Sequence, residues 1–149
     1  MAKSAQPILV HIADDDEDDR LLCKEAFEEG RVLIELTFSV DGMDLLDYLR
    51  RDGKYEYLKE ERLPDLILLD LNMPRMNGYE ALAEIKADPK FRRIPTVVMT
   101  TSTAQKDVLA TYDLGANSFI SKPVSFSELV KIVARMTDYW VETVRLPHD

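Results

Sequence analysis

The chain is predicted to be an α/β protein built on a doubly wound parallel sheet with helices on both faces. Short apolar runs alternate with amphipathic stretches five times within about 130 residues, the rhythm of repeated βα units. One run, Leu66-Ile67-Leu68-Leu69, is apolar at every position, as a strand must be when helices cover both sides of it. Another behaves differently. Val32, Ile34, Leu36, Phe38 and Val40 alternate with Leu33, Glu35, Thr37 and Ser39, which suits a strand at the sheet edge.

In chain order, the first apolar run is Ile8 to Ala13, followed by a helical pattern with Leu22, Ala26 and Phe27 on one face, closed by Gly30. After the alternating strand, a helix is expected over residues 41–51. Residues 51–64 form a long, highly charged connection, read as an exposed excursion. Beyond the central strand come a helix over 79–87, a strand over 96–99, a helix over 104–114 ended by Gly115, and a strand over 118–121. A last helix begins near Ser127, with Phe126, Leu129, Val130, Val133, Met136 and Trp140 at helical spacing. All 149 residues are assigned to one domain, with a core over about 8–134 and a C-terminal helix extension over about 135–149.

Composition removes several classes of function. A hydrophobic share of 46% can fill a core, and no stretch is long and apolar enough to span a bilayer. The first seven residues lack the apolar middle of a signal peptide, so a cytoplasmic location is expected. Cys23 is the single cysteine, which excludes an internal disulfide and a thiolate zinc site. Twenty-eight acids against nineteen bases give a net charge of −9, a field that repels nucleic acid and anionic membranes.

In doubly wound sheets ligands bind beyond the carboxyl ends of the strands. After the first strand stand six acids, Asp14, Asp15, Asp16, Glu17, Asp18 and Asp19. Asp18 and Asp19 are read as a solvated helix start, where carboxylates favour the dipole. Asp14 and Asp15, at the mouth of a buried strand, repel one another unless a cation or proton intervenes, and are read as half of a metal site. An EF-hand is set aside because its sixth loop position, here Asp19, requires Gly. A flavin phosphate is set aside because an all-acid loop repels it. The central strand ends in Asp70, the next in Met99-Thr100-Thr101 and the last in Ser121-Lys122-Pro123. Carboxylates, a hydroxyl and an ammonium around one mouth suit one reaction. A divalent ion on Asp15 and Asp70, with Asp14 acting through water, leaves Asp70 as nucleophile toward a phosphoryl group whose charge Lys122 and Thr100 stabilise.

These residues, together with Leu69-Asp70-Leu71-Asn72-Met73-Pro74 and Gly78, resemble the receiver domains of two-component response regulators, the CheY-like fold, over about residues 8–134. The resemblance implies a flavodoxin-like strand order of 2-1-3-4-5 and Asp70 as phospho-acceptor. It implies Mg²⁺ on Asp15, Asp70 and the Asn72 carbonyl with help from Asp14, and contacts from Thr100 and Lys122 to the phosphoryl group. It further implies Phe119 as an aromatic switch coupled to Thr100, and a cis Lys122–Pro123 bond. The long 51–64 connection and the tail past residue 137 resemble the small regulators that partner cyanobacterial and bacterial phytochromes, so a sensor histidine kinase of the phytochrome type is the expected phosphodonor.

With no output domain after residue 149, the expected action is phosphorylation-dependent binding of another protein, or phosphate relay. The surface around residues 106–112 and 126–140 is the expected readout. Tyr139, Trp140, Val141 and Val144 extend the last helix's apolar content and suggest a homodimer through it. His11 is read as a satisfied core histidine and Cys23 as packing. Two alternatives carry other functions. A haloacid dehalogenase-type phosphatase also uses an Asp nucleophile and Mg²⁺, but needs an acid–base Asp where this chain has Asn72. A receiver-like module that binds without phosphorylation is the other.

Overall fold

The computed structural model describes residues 7–30, 33–101 and 104–139. Its elements run β1 (Ile8–Ala13), α1 (Glu17–Glu28), β2 (Ile34–Ser39), α2 (Gly42–Arg50), a 3-10 helix (Gly53–Leu58), β3 (Leu66–Leu69), α3 (Gly78–Ala87), β4 (Thr96–Thr100), α4 (Gln105–Asp113), β5 (Ser118–Ser121) and α5 (Phe126–Thr137). The five strands form one parallel sheet in the order β2-β1-β3-β4-β5. This is the fold class and strand order expected from the sequence. Of the four residues on which the dimer expectation rests, Tyr139 is exposed and Trp140, Val141 and Val144 lie outside the described residues, among which no helix is long and apolar enough to cross a membrane.

Alternation along the central strand divides the core in two. Leu66 and Leu68 face Cys23, Ala26 and Phe27 of α1 and Leu129, Val133 and Met136 of α5. Ile67 and Leu69 face Leu45 and Leu49 of α2 and Ala81, Leu82 and Ile85 of α3. All four side chains of β3 are buried, and burying each Leu or Ile contributes about 1.5–3 kcal/mol. Local chemistry sets the helix starts. Asp16, Asp41 and Ser125 accept backbone N–H bonds at the N-termini of α1, α2 and α5. Asn77 and Glu80 form a reciprocal capping box on α3.

Two expectations are corrected. Leu22 is not on the buried face of α1: it is 38% exposed, because the inward stripe is centred on Cys23, Ala26 and Phe27. Phe126, at the first position of α5, is likewise 39% exposed. The 51–64 connection is exposed over most of its length, as expected, but it is anchored at several points. Arg51, in a left-handed conformation (φ 60°) at the end of α2, is buried. Its guanidinium donates to the carbonyls of Tyr48, Glu61 and Arg62 and lies 4.8 Å from the Tyr48 ring centroid. Tyr55, Leu58 and Leu63 pack on the α2–α3 core.

His11 is a satisfied core histidine. Nδ1 is 2.7 Å from Thr37 Oγ1 and Nε2 2.9 Å from Ser39 Oγ, and the ring stacks on Tyr48 at 4.0 Å. Burial pushes its pKa down from 6.5 to about 3. The unfolded chain therefore takes up a proton well above the pH at which the folded chain does. The neutral ring's contribution is complete above pH 6.5 and is lost as the pH falls from 6.5 toward 3. Between about pH 7.5 and about pH 5 the loss is about 2 kcal/mol from this residue. Urea unfolding of the parent chain and of His11→Gln at both pH values checks this: the variant's stability should fall by about 2 kcal/mol less.

Candidate phosphoryl-acceptor site

The ends of β1, β3, β4 and β5 converge at one lip of the sheet. Ala13 O of β1 accepts from Asp70 N at 3.0 Å, and Thr100 O of β4 accepts from Lys122 N at 2.7 Å. The strands therefore deliver Asp14, Asp70, Thr100 and Lys122 side by side. Asp14 and Asp70 are buried and Thr100 is fully so, while Asp15 is exposed at the rim.

Asp14, Asp15 and Asp70 each present an oxygen within 4.8 Å of the others, a spacing that fits the oxygen ligands of one hard divalent cation. Burial raises the pKa of Asp14 despite the Lys122 ammonium and the Asp16 N–H beside it, so this carboxylate is poorly solvated. Lys122 counters the negative charge. Its Nζ donates to Asp14 Oδ2 at 2.8 Å, Asp19 Oδ2 at 2.8 Å and Asp70 Oδ2 at 3.1 Å. Burial alone would lower the lysine pKa, but Asp14 and Asp19 hold it above its ordinary value. The ammonium is therefore a fixed positive charge.

Asn72 follows Asp70 on the β3–α3 loop. Its backbone N–H donates to Asp70 Oδ1 at 3.2 Å, and its side-chain amide reaches Thr100 Oγ1 at 3.4 Å. The loop is tied down on both sides. Gly78 N donates to Leu71 O at 2.9 Å and Gly42 N to Met76 O at 2.8 Å. Arg75, left-handed at φ 63°, grips Asp41 through Nε at 2.8 Å and Nη2 at 3.1 Å. Phe119 stands apart from the polar cluster. It is half-buried on β5 against the α2–α3 core, and its backbone N–H donates to the Tyr112 hydroxyl at 3.2 Å.

Asp14, Asp15, Asp70 and Lys122 are thus brought together as expected, with Asn72 and Thr100 adjoining. Two points differ. The Lys122–Pro123 bond is trans, the form favoured by about 0.5–1 kcal/mol for X–Pro, and Nζ meets the carboxylates from that geometry. Asp19 stands in the first turn of α1 as read, but it has a second role as one of the three lysine partners. Its signal lay in spacing, since Asp19 precedes Cys23 by four residues and shares the inward stripe of α1. Asp16 takes the capping role, accepting from Asp18 N and Asp19 N.

Comparison with known proteins agrees with this geometry. Residues 10–134 match the family model described as the response regulator receiver domain. Response regulator Rcp1 of Synechocystis sp. is 38% identical over 145 residues, covering 97% of each chain. The probable methanogenesis regulatory protein FilR2 of Methanothrix harundinacea is 34% identical, over 97% of this chain and 91% of its own. Among solved structures, the phosphorylated cyanobacterial phytochrome response regulator RcpA superposes with a TM-score of 0.89 at 39% identity, covering 96% of this chain and all of its own. The Mn²⁺-bound form of Rcp1 superposes with a TM-score of 0.86 at 38% identity, covering 95% and 100%.

Proposed function

Because the chain belongs to the response regulator receiver domain family, we propose that it accepts a phosphoryl group from a sensor histidine kinase onto Asp70 and signals through phosphorylation-dependent protein binding. One observation carries the reading: Asp70 offers an oxygen to a cation-sized cluster with Asp14 and Asp15, and its Oδ2 accepts from the Lys122 ammonium at 3.1 Å. An Asp70 oxygen attacks phosphorus in line, the P–N bond of the donor phosphohistidine breaks, and the imidazole leaves. Asp15, Asp70 and the Asn72 carbonyl, with Asp14 acting through water, would hold Mg²⁺, which would supply charge neutralisation for the transferring group. Lys122 and the Thr100 hydroxyl stabilise the remaining negative oxygens. Asn72, an amide, has no proton to exchange with a leaving group or water at neutral pH, so the acyl phosphate persists and self-dephosphorylation is slow.

The kinase surface is the apolar rim beside this site. Leu21 and Leu22 of α1 and Val124 and Phe126 at the start of α5 are exposed there, and a cleft lined by Asp19, Leu22, Lys122, Pro123 and Phe126 opens between them. A phytochrome-type kinase is the proposed donor, since phytochrome response regulators are among the relatives that align over nearly the whole chain. The proposed setting is the cytoplasm. Output follows a shift between two states, in which the phosphoryl group draws Thr100 inward and Phe119 follows, altering the face formed by α4, β5 and α5.

Acetyl phosphate with Mg²⁺ is the direct test. Intact-mass measurement should show an increase of about 80 Da, absent when a chelator replaces the metal. No adduct under either condition would refute the function.

A further inference from the structure

We propose that Asp19 is a positioning residue: it holds the Lys122 ammonium in place when a divalent cation claims the oxygens of Asp14 and Asp70. The inference rests on the cation and phosphoryl chemistry proposed above and assigns a role to a residue outside it. An ammonium has three N–H donors, and Lys122 Nζ has one carboxylate within 3.1 Å for each: Asp14, Asp19 and Asp70. Two of these three acceptors belong to the cation cluster and Asp19 does not.

Cation and ammonium therefore compete for Asp14 and Asp70. The lysine is largely buried, with 15% of its side chain exposed, so releasing it from both without another anion would leave a poorly solvated charge. Asp19 is the acceptor it need not give up. The Asp16 cap fixes the backbone at this point, accepting from Asp19 N at 3.2 Å, so the carboxylate projects toward Lys122 from the first turn of α1. Held there at 2.8 Å, the ammonium keeps its other two N–H bonds directed at the site, where an arriving phosphoryl oxygen can accept one. Asp19 thus eases cation entry and keeps the lysine aimed.

A double-mutant cycle read on metal binding tests this without any phosphodonor. Mn²⁺ affinity is measured by spin resonance of the free ion for the full chain, Asp19→Asn, Lys122→Met and the double variant, with melting curves to establish folding. Asp19→Asn should weaken binding about tenfold when Lys122 is present. In the Lys122→Met background the same change should cost at most about twofold, the residue of a screened, partly exposed charge. Asp19→Glu should recover most of the affinity. An equal loss in both backgrounds would reduce Asp19 to a plain negative charge and overturn the proposal, as would no loss in either. A parent chain that takes no phosphoryl group would instead refute the assigned function and leave the Asp19–Lys122 coupling measurable.

Discussion

An Asp70→Asn chain incubated with Mg²⁺ and acetyl phosphate keeps its unmodified mass, while the parent gains about 80 Da. The expectation is complete loss because, of these acids, Asp70 is the one that ends the central strand beside the Asn72–Thr100 pair. Asp15 is exposed at the rim, away from the lysine contacts. Asp14 is engaged by Lys122 and by the Asp16 N–H. Asp19 lies outside the cation cluster. Asp70 alone ends the central strand, with a backbone bond to β1 on one side and the Asn72–Thr100 pair on the other. The amide keeps the size of the side chain and removes the anionic nucleophile. Peptide mapping completes the measurement: an adduct moved to Asp14 or Asp15 in the variant would mean that the cluster, and not Asp70, defines the acceptor.

Gly78→Ala is the second large effect, through the backbone. A Cβ at this position would lie 2.3 Å from Asp70 O and 2.7 Å from Leu71 Cα, neither of which is a flexible side-chain end. The loop must open to admit it, at a cost of about 3 kcal/mol, and the carbonyl forced away belongs to Asp70, the proposed acceptor. Phosphorylation should slow along with the loss of stability. Gly53→Ala is the comparison. Gly53 is left-handed at φ +56° with nothing within 4 Å of the added carbon, so only conformational preference is lost, about 1 kcal/mol. Urea unfolding of both variants separates the two cases. Equal losses would show that close approach to Asp70 is not what demands glycine at residue 78.

The parts of this molecule that were readable in advance are those where one residue type admits one environment. Four successive apolar residues at 66–69 can be accommodated only between two helical layers, and both layers are present. Adjacent Asp14 and Asp15 after a buried strand read as half of a cation site, and the matching Asp70 lies within reach. What escaped was partner choice among like residues. Six consecutive acids differ only in direction, and direction comes from where α1 starts: with Glu17 as its first residue, Asp16 becomes the cap and Asp19 turns inward. The 51–64 segment hid its apolar anchors among charges, and Arg51 was unreadable because its partners are backbone carbonyls, which have no signature in side-chain pattern. The isomer of Lys122–Pro123 depends on small energies that local sequence does not resolve.

The Arg75–Asp41 grip has a consequence for recognition. The segment bearing Asn72 is already immobilised by two side-chain bonds and by the Gly42–Met76 backbone bond. A ligand entering the mouth therefore meets a preorganised wall and loses little conformational entropy in closing it. Affinity there should be governed by charge matching and dehydration, with little heat-capacity signature of coupled folding.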